Sequence, residues 1–212
     1  MGIFLYNYYI IFIPTKINNM KKIFLALGVM ILAVNISNAQ APTIKKGTKL
    51  TYHVTTSNKE YDYVITVNAF GAAIAFDWVM TDPVNTSGKI SITANALKKA
   101  TSYKNYFEDD SKEVLSTQST VWLSKKNFNE LKAKKKTRMN MTGEIANYDR
   151  DAAPQQITYD LKGTSKTANV LSCQFIKTAD MQYTIHVFDD AKNPLIQFMD
   201  LSTFTITLKS VE

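Results

Sequence analysis

The segment LIQFMDLSTFTITLKSV, residues 195–211, shows the fold class most clearly. It holds two apolar stretches with a polar break at Ser202, and its second half alternates between apolar and polar side chains. The alternating sets are Phe204, Ile206 and Leu208 on one side and Thr205, Thr207 and Lys209 on the other. Successive side chains of a strand point to opposite faces. The segment therefore predicts two antiparallel strands, each with one dry and one wet face.

The same period of two continues upstream through most of the chain. It predicts further strands at 48–55, 61–68, 73–80, 89–95, 114–123, 137–141, 157–161, 169–178 and 182–188. Turn-forming residues separate these stretches, and the segment 143–154 is predicted to be a polar loop. Ten or so short strands at this spacing predict a mainly β domain, either an antiparallel, strongly bent sheet or a barrel. No longer repeat indicates a propeller or a solenoid.

One helix is predicted, at residues 124–136. Ser124 is a suitable N-cap, and Phe128 with Leu131 forms an apolar stripe. The helix and its end carry a basic surface patch, which consists of Lys125, Lys126, Lys132, Lys134, Lys135, Lys136 and Arg138. Cations near a helix carboxyl end have a structural explanation in the helix dipole, and the alternative is contact with an anionic envelope surface. The patch has no interleaved aromatic residues that would stack on bases, so no nucleic acid is expected.

The segment MKKIFLALGVMILAVNISNAQA, residues 20–41, predicts export. Two lysines precede an apolar run, and Ser37 and Ala39 supply the small residues of a cleavage site, so we expect a signal peptide cleaved after Ala39. Met20 is the expected translation start. An uncleaved membrane anchor is the alternative, but the run at 23–34 is shorter than the roughly 20 residues that a spanning helix needs. No cysteine near 36–41 would carry a lipid, which predicts a periplasmic or secreted protein.

Removal of residues 1–39 takes away three lysines and no acidic residue, which leaves 22 basic and 18 acidic residues and a net charge of +4. This small excess is weak evidence for a polyanionic partner. Residues 40–212 fit one all-β domain with a sizeable core and no transmembrane span. The single cysteine, Cys173, stands beside apolar residues and is interpreted as a small buried side chain.

Three short motifs suggest a relationship. They are the opening strand Gly47-Thr48-Lys49-Leu50-Thr51-Tyr52, the junction Trp122-Leu123-Ser124 and the closing segment Asn193-Pro194-Leu195-Ile196. Together with the export signal, they resemble uncharacterised secreted proteins of Gram-negative bacteria, some of which are similar to half-barrel periplasmic carriers of lipoproteins. The resemblance implies an apolar groove under a helical lid, here the 124–136 helix and the strand that contains Trp78. It carries no catalytic residue across.

The function favoured by the sequence is a non-catalytic binding module for an apolar small molecule or lipid. Five aromatic residues are the candidates for lining a concave face, namely Phe76, Trp78, Trp122, Tyr183 and Phe198. The alternative for each is that it fills the core. A second function is an envelope structural or interaction protein that holds an envelope protein partner through the basic helix or a sheet edge.

An enzyme is the least favoured class, and a hydrolase is the function that the sequence supports least. His53 and His186 belong to no motif of catalytic or metal-binding spacing. The acidic run 108–110 lacks the spacing of a calcium loop, and the loop acids Asp149 and Asp151 are equally typical of an exposed turn. We therefore expect no catalytic residue, metal or cofactor.

Overall fold

The computed structural model describes residues 39–153, 155–178 and 181–212. The predicted start at Met20 and the predicted signal region up to residue 38 lie outside this part. Within it the chain forms fourteen strands and two helices, α1 (Ala94–Lys99) and α2 (Lys125–Lys134). The strands are β1 (Lys49–Thr56), β2 (Glu60–Phe70), β3 (Ile74–Met80), β4 (Thr86–Ile92), β5 (Ser102–Tyr103), β6 (Ser111–Leu115), β7 (Gln118–Ser119), β8 (Lys136–Asn140), β9 (Ile145–Arg150), β10 (Gln155–Leu161), β11 (Thr164–Thr178), β12 (Met181–Phe188), β13 (Ile196–Asp200) and β14 (Phe204–Val211).

All fourteen strands belong to one sheet, and part of this sheet closes on itself. The path runs β6-β4-β3-β2-β1-β14-β13-β12-β11-β9-β8-β5-β7. Strand β10 lies off this path and pairs antiparallel with β11 and parallel with β14, where Asp160 and Leu161 face Ser210 and Val211. Strands β10 to β14 therefore form a closed ring. The prediction of a mainly β fold is confirmed, and its core is a closed barrel.

The alternation in the sequence decides which face of the sheet is buried. On β1, Leu50, Tyr52 and Val54 are buried, whereas the residues between them are partly exposed. On β2, Tyr63 lies directly opposite Tyr52, and the two rings are 6.4 Å apart. On β3, Trp78 is 1% exposed. The inward faces of these three strands form one continuous apolar surface on the concave side of the sheet.

The structure corrects the number of strands and the end of the helix. Strand β9 lies inside the predicted polar loop 143–154, because Ala146 and Tyr148 are buried and β9 pairs with both β8 and β11. The predicted strand 114–123 is instead divided between the short strands β6 and β7. Helix α2 ends at Lys134, since Lys135 adopts a left-handed conformation with φ 58°. The second helix, α1, overlaps the start of the segment 96–112, for which the sequence leaves a short helix and a loop as alternatives.

Helix α2 begins as the sequence predicts. The Ser124 hydroxyl accepts a hydrogen bond from the Asn127 backbone amide at 3.2 Å, which satisfies one free donor of the first turn. Phe128 and Leu131 are buried against the sheet. In the described ranges, neither helix has the length and apolar character needed to cross a membrane.

Gly88 provides a test of the packing on the inward face. A Cβ atom at Gly88 would lie 2.8 Å from the Ser111 carbonyl oxygen and 2.8 Å from the Trp78 ring. Gly88→Ala is therefore expected to lower the free energy of unfolding by about 1–3 kcal/mol, the usual cost of overpacking. Urea denaturation measures this change. Gly71→Ala is the matched control, because its Cβ would meet nothing within 4 Å, and equal stability of the two variants would contradict the assigned packing.

Candidate binding site

A cavity of about 680 Å³ lies on the concave side of the sheet. Its wall comes from β1, β2, β3, β12, β13 and β14, together with the turns around them. Three further segments face this wall and cover it, at residues 103–107, 120–121 and 141–143. The volume lies in the middle of the range of about 300–1,000 Å³ that is usual for small-molecule sites. The cavity is therefore large enough for a ligand with a substantial apolar body.

The cavity lining is uncharged and rich in aromatic residues. None of the 22 lining residues in the described part of the chain is Asp, Glu, Lys, Arg or His. The aromatic members are Tyr52, Tyr61, Tyr63, Tyr103, Tyr106, Phe107, Tyr183 and Phe204. Ligand sites are typically lined by hydrophobic and aromatic side chains with a few placed polar groups. Such a lining can bury apolar surface of a ligand but cannot neutralise a charge.

Buried residues form the floor of the cavity, and exposed residues form its mouth. Tyr52 and Tyr63 are 1% and 3% exposed, whereas Tyr106 is 73% exposed. Thr142 and Thr203 are also exposed members of the lining. The site is therefore a pocket with a solvent-facing opening at these residues.

The segment 103–107, which we call the strap, covers one side of the cavity. Its Lys104 backbone amide donates to the Ser119 carbonyl oxygen at 2.9 Å, and the Asn105 side chain donates to the Met141 carbonyl oxygen. Phe107 stacks on Tyr63 with ring centroids 6.0 Å apart and an interplanar angle of 9°. The strap is thus fastened to the fold at both ends.

A buried polar network holds the start of the strap. Asn127 on α2 is fully buried, and its Oδ1 accepts hydrogen bonds from the hydroxyls of Tyr103 at 2.9 Å and Ser124 at 3.0 Å. Its Nδ2 donates to the Thr137 hydroxyl at 2.6 Å and to the Arg138 carbonyl oxygen at 3.2 Å. The Asn127 side chain therefore uses both of its N–H donors and both acceptor positions of its oxygen. Helix α2 contributes no residue to the lining, so it supports the strap and does not cover the cavity.

The five aromatic candidates lie in different surroundings. Tyr183 lines the cavity, but Phe76, Trp78 and Trp122 are fully buried in the core outside the lining. Phe198 contacts His186, with ring centroids 5.0 Å apart, on the face of the sheet opposite Tyr183. The roles of these residues in binding stay a prediction.

Trp122 also connects separate parts of the chain. Its indole Nε1 donates to Asn193 Oδ1 at 2.8 Å, and Asn193 Nδ2 donates to the Pro42 carbonyl oxygen at 3.2 Å. The Tyr159 hydroxyl fixes the same amino-terminal segment by donating to the Gln40 carbonyl oxygen at 3.0 Å. This packing and bonding give Trp122 a structural role.

Sequence reasoning missed most of the cavity residues, above all Tyr52, Tyr63, Tyr103 and Phe107. The regular recurrence of tyrosines at 52, 61 and 63 on the inward face was the available signal. Aromatic residues that carry a hydroxyl are suited to a surface with both apolar and polar contacts.

Part of the basic surface patch is neutralised within the fold. Lys132 Nζ bonds both carboxylate oxygens of Asp189 at 2.8 Å. Lys126 and Lys134 lie 3.6 and 3.7 Å from the carboxylate of Glu130. The described residues offer no acidic partner within 4 Å to the other four members, which are Lys125, Lys135, Lys136 and Arg138.

The two histidines and the cysteine lie apart from the cavity. His53 Nδ1 is 3.1 Å from Asp62 Oδ1 on the outer face of the sheet. Cys173 is fully buried, and burial raises the pKa of its thiol. Among the described residues no three His, Cys, Asp or Glu side chains group as metal ligands would.

His186 is expected to make stability depend on pH. Burial lowers its pKa below the ordinary value of 6.5, although nearby Asp151 opposes this shift. The unfolded chain therefore binds a proton more readily, so the free energy of unfolding falls as the pH drops below 6.5. His186→Gln is expected to flatten this part of the profile, as measured by urea denaturation between about pH 5 and 8. An unchanged slope would show that His186 is not responsible.

Comparisons with known proteins assign no family to the chain. No family model matches it, and no curated protein matches it. Among solved structures, the complex of Pseudomonas aeruginosa MucA/MucB is similar at 7% sequence identity and a TM-score of 0.39, with 78% of this chain and 50% of that chain covered. The chain thus spans about half the length of the structure that it matches. A likeness of this size assigns no function.

Proposed function

We propose that the protein is an exported, non-catalytic binding module that holds an apolar small molecule or lipid in the concave cavity. The observation that carries this proposal is the 680 Å³ cavity with an uncharged lining in the described part of the chain. Burial of apolar surface contributes about 25 cal/mol per Å². A ligand that fills such a space therefore gains affinity without any charged contact.

Partly buried lining residues also support a ligand site over an empty packing defect. Tyr61, Met80 and Phe204 are half-buried and lie between the buried floor and the exposed mouth. An apolar ligand would cover their remaining exposed surface. Export through the predicted signal peptide would place the module in the periplasm or outside the cell.

Native mass spectrometry tests the proposal. The full chain is expressed in a Gram-negative host and purified gently from the periplasm, and extracted lipids are then analysed. We expect a co-purifying apolar molecule at near one-to-one ratio and a protein mass that begins at Gln40. A protein without bound ligand that also binds none of a panel of added apolar molecules would contradict the proposal.

A second candidate function is an envelope interaction protein that contacts an anionic membrane surface through the basic surface patch and the neighbouring Lys98 and Lys99. Lys98 and Lys99 at the end of α1 lie beside Lys125 and Lys126 at the start of α2, where the four side chains line one surface depression. Like charges grouped in this way favour an anionic partner surface. Sedimentation with phosphatidylglycerol vesicles, compared with phosphatidylcholine vesicles, tests this idea. A Lys98→Glu, Lys125→Glu variant should lose any salt-sensitive binding, and equal binding to both kinds of vesicle would exclude it.

A further inference from the structure

We infer that the protein has a second ligand site, a small pocket beside helices α1 and α2 that binds an organic anion with an apolar body and one negatively charged group. We call it the lysine pocket, after Lys98, Lys125 and Lys192 in its lining. None of its described lining residues also lines the concave cavity. The inference therefore goes beyond the proposed function and does not depend on it.

The lysine pocket lies where segments that are distant in sequence meet. Its volume is about 380 Å³, toward the lower end of the range of about 300–1,000 Å³ that is usual for small-molecule sites. The lining comes mainly from the turn between β2 and β3, helix α1, the start of α2 and the turn between β12 and β13. The space therefore suits a small molecule.

Backbone and ring contacts hold the walls of the lysine pocket in place. The Leu123 backbone amide donates to the Pro194 carbonyl oxygen at 2.9 Å, which joins the start of α2 to the turn after β12. The ring of Phe70, from the end of β2, packs against Trp122 with centroids 6.5 Å apart. A preformed site loses little conformational freedom when a ligand binds.

One side of the lysine pocket is apolar and open to a ligand. Phe70 and Leu97 are half-buried, whereas Ala72 and Ala94 are exposed. These four side chains have surface in contact with solvent, so a ligand can reach and cover it. Removal of apolar surface from water favours binding.

The other side carries three positive charges. Lys98, Lys125 and Lys192 are exposed, and they come from α1, α2 and the turn after β12. The described residues place no carboxylate within 4 Å of their ammonium groups, and the lining in the described part of the chain contains no Asp or Glu. Their long, flexible stems let the ammonium groups turn toward a bound anion. Grouped cations beside accessible apolar surface fit a ligand that carries an anionic group on an apolar body.

The two aspartates in the turn after β12 are already engaged. Asp189 is bonded by Lys132 Nζ at 2.8 Å, and Asp190 Oδ1 accepts a hydrogen bond from the Lys192 backbone amide at 2.9 Å. Neither lines the lysine pocket. The Lys192 ammonium group thus remains available to an anion.

Lys192 also distinguishes the lysine pocket from the basic depression that an anionic membrane would contact. It lines the pocket, whereas the depression is lined by Lys98, Lys99, Lys125 and Lys126. Substitution at Lys192 therefore separates binding of a small anion from contact with a membrane surface.

Two dyes that differ by one charged group test the inference. The anionic dye, 8-anilinonaphthalene-1-sulfonate, has the ring system of the neutral N-phenyl-1-naphthylamine plus one sulfonate. Each is titrated into the purified full chain. We expect the affinity for the anionic dye to fall at least about threefold between about 0.05 and 0.5 M NaCl, while that for the neutral dye does not fall. Octanoate should displace the anionic dye at least about fivefold better than octan-1-ol, because only octanoate offers the lysines a negative charge.

Lys192→Glu tests the charge of the pocket. It should weaken binding of the anionic dye about 3- to 10-fold, because it replaces an attraction with a repulsion, and leave binding of the neutral dye unchanged. Lys166→Glu is the matched control. Lys166 is exposed on β11 and lines neither the cavity nor the lysine pocket, so the same change in net charge should leave both affinities at the native level.

Ala72→Trp tests the space of the pocket without a change in charge. Its indole ring should occupy the pocket and lower the affinity for the anionic dye more than about tenfold. Ala73→Trp is the control, because Ala73 is the next residue of the same turn, is exposed and does not belong to the lining. Thermal unfolding checks that both variants are folded.

The outcomes separate this inference from the proposed function. Equal weakening of the anionic dye by Lys192→Glu and Lys166→Glu would show that net charge alone attracts it, and this would overturn the inference. Displacement of the anionic dye by N-phenyl-1-naphthylamine, or the absence of saturable binding of the anionic dye, would also overturn it. Binding of the anionic dye at the lysine pocket by a protein that does not bind the neutral dye would contradict the proposed function alone.

Discussion

Replacement of Val54 by tryptophan is expected to abolish ligand binding while the fold persists. Val54 is 5% exposed on β1, and its side chain lines the cavity between the strands of Tyr61 and Ile206, which are its cross-strand partners. An indole ring at this position would occupy space that is otherwise free for a ligand. Binding is measured with N-phenyl-1-naphthylamine, an uncharged fluorescent probe of apolar sites. We expect its affinity to fall by more than about tenfold, which corresponds to about 1.4 kcal/mol of lost binding free energy.

Val79→Trp is the matched control for this experiment. Val79 is 48% exposed on β3 and lies on the opposite face of the sheet from the cavity. The Val79→Trp substitution introduces the same indole ring outside the cavity, so the affinity for N-phenyl-1-naphthylamine should remain at the native level. Thermal unfolding followed by circular dichroism checks that both variants are folded. A folded Val54→Trp protein that binds the probe as tightly as the native chain would show that the cavity is not the binding site.

Replacement of Asn127 by alanine is expected to cause the largest loss of stability, about 3–5 kcal/mol. The truncation removes the partner of the Tyr103 hydroxyl and the donor to both Thr137 and the Arg138 carbonyl oxygen. Each buried polar group that is left unpaired costs about 1–3 kcal/mol. Because Tyr103 begins the strap, the loss should also loosen the cover of the cavity. Urea denaturation gives the free energy of unfolding directly.

Asn129→Ala is the control on the same helix. Asn129 is exposed, so its truncation should change the free energy of unfolding by less than about 0.5 kcal/mol. Comparing the two variants removes the shared effect of alanine on helix propensity. Similar stabilities of Asn127→Ala and Asn129→Ala would mean that the buried network contributes little to the fold.

The sequence predicts elements best where their pattern is regular. The inward residues of β1 and β14 alternate with polar ones in the sequence. The structure buries Leu50, Tyr52 and Val54 on β1 and Ile206 and Leu208 on β14, while Phe204 is half-buried. Strand β9 was missed because its sequence, IANYDR, has small and polar residues in place of a strong apolar alternation. Its strand conformation depends on pairing with β8 and β11, which come from other parts of the chain.

The cavity is harder to predict than the core for a related reason. Trp78 and Tyr63 lie on the same inward face of the sheet, and their rings are only 6.1 Å apart. Trp78 is enclosed by packing, whereas Tyr63 borders free space, and the difference depends on what covers each residue. That cover is the strap, a segment without regular periodicity in the sequence. Alternation therefore identifies the face but not the part of it that stays unfilled.

The sequence also does not show how much of the charge of the basic surface patch is neutralised in the folded protein. The sequence shows seven basic residues between Lys125 and Arg138, but not that Asp189 lies against Lys132. This ion pair joins helix α2 to the turn after β12, 57 residues later. Distant partners of this kind reduce the charge that a surface presents to solvent, and only the folded chain reveals them.

The position of β14 has a consequence for how the chain reaches its native state. This strand pairs with β1, β10 and β13, and its contacts with β1 join Leu50 to Val211. Pairs so distant in sequence form slowly, since a long loop must close before they contribute. The ring of β10 to β14 cannot close, and β1 cannot gain its second neighbour, until β14 is in place. Residues 204–211 therefore join the two parts of the sheet, and we expect the pairing of this strand to limit the folding rate.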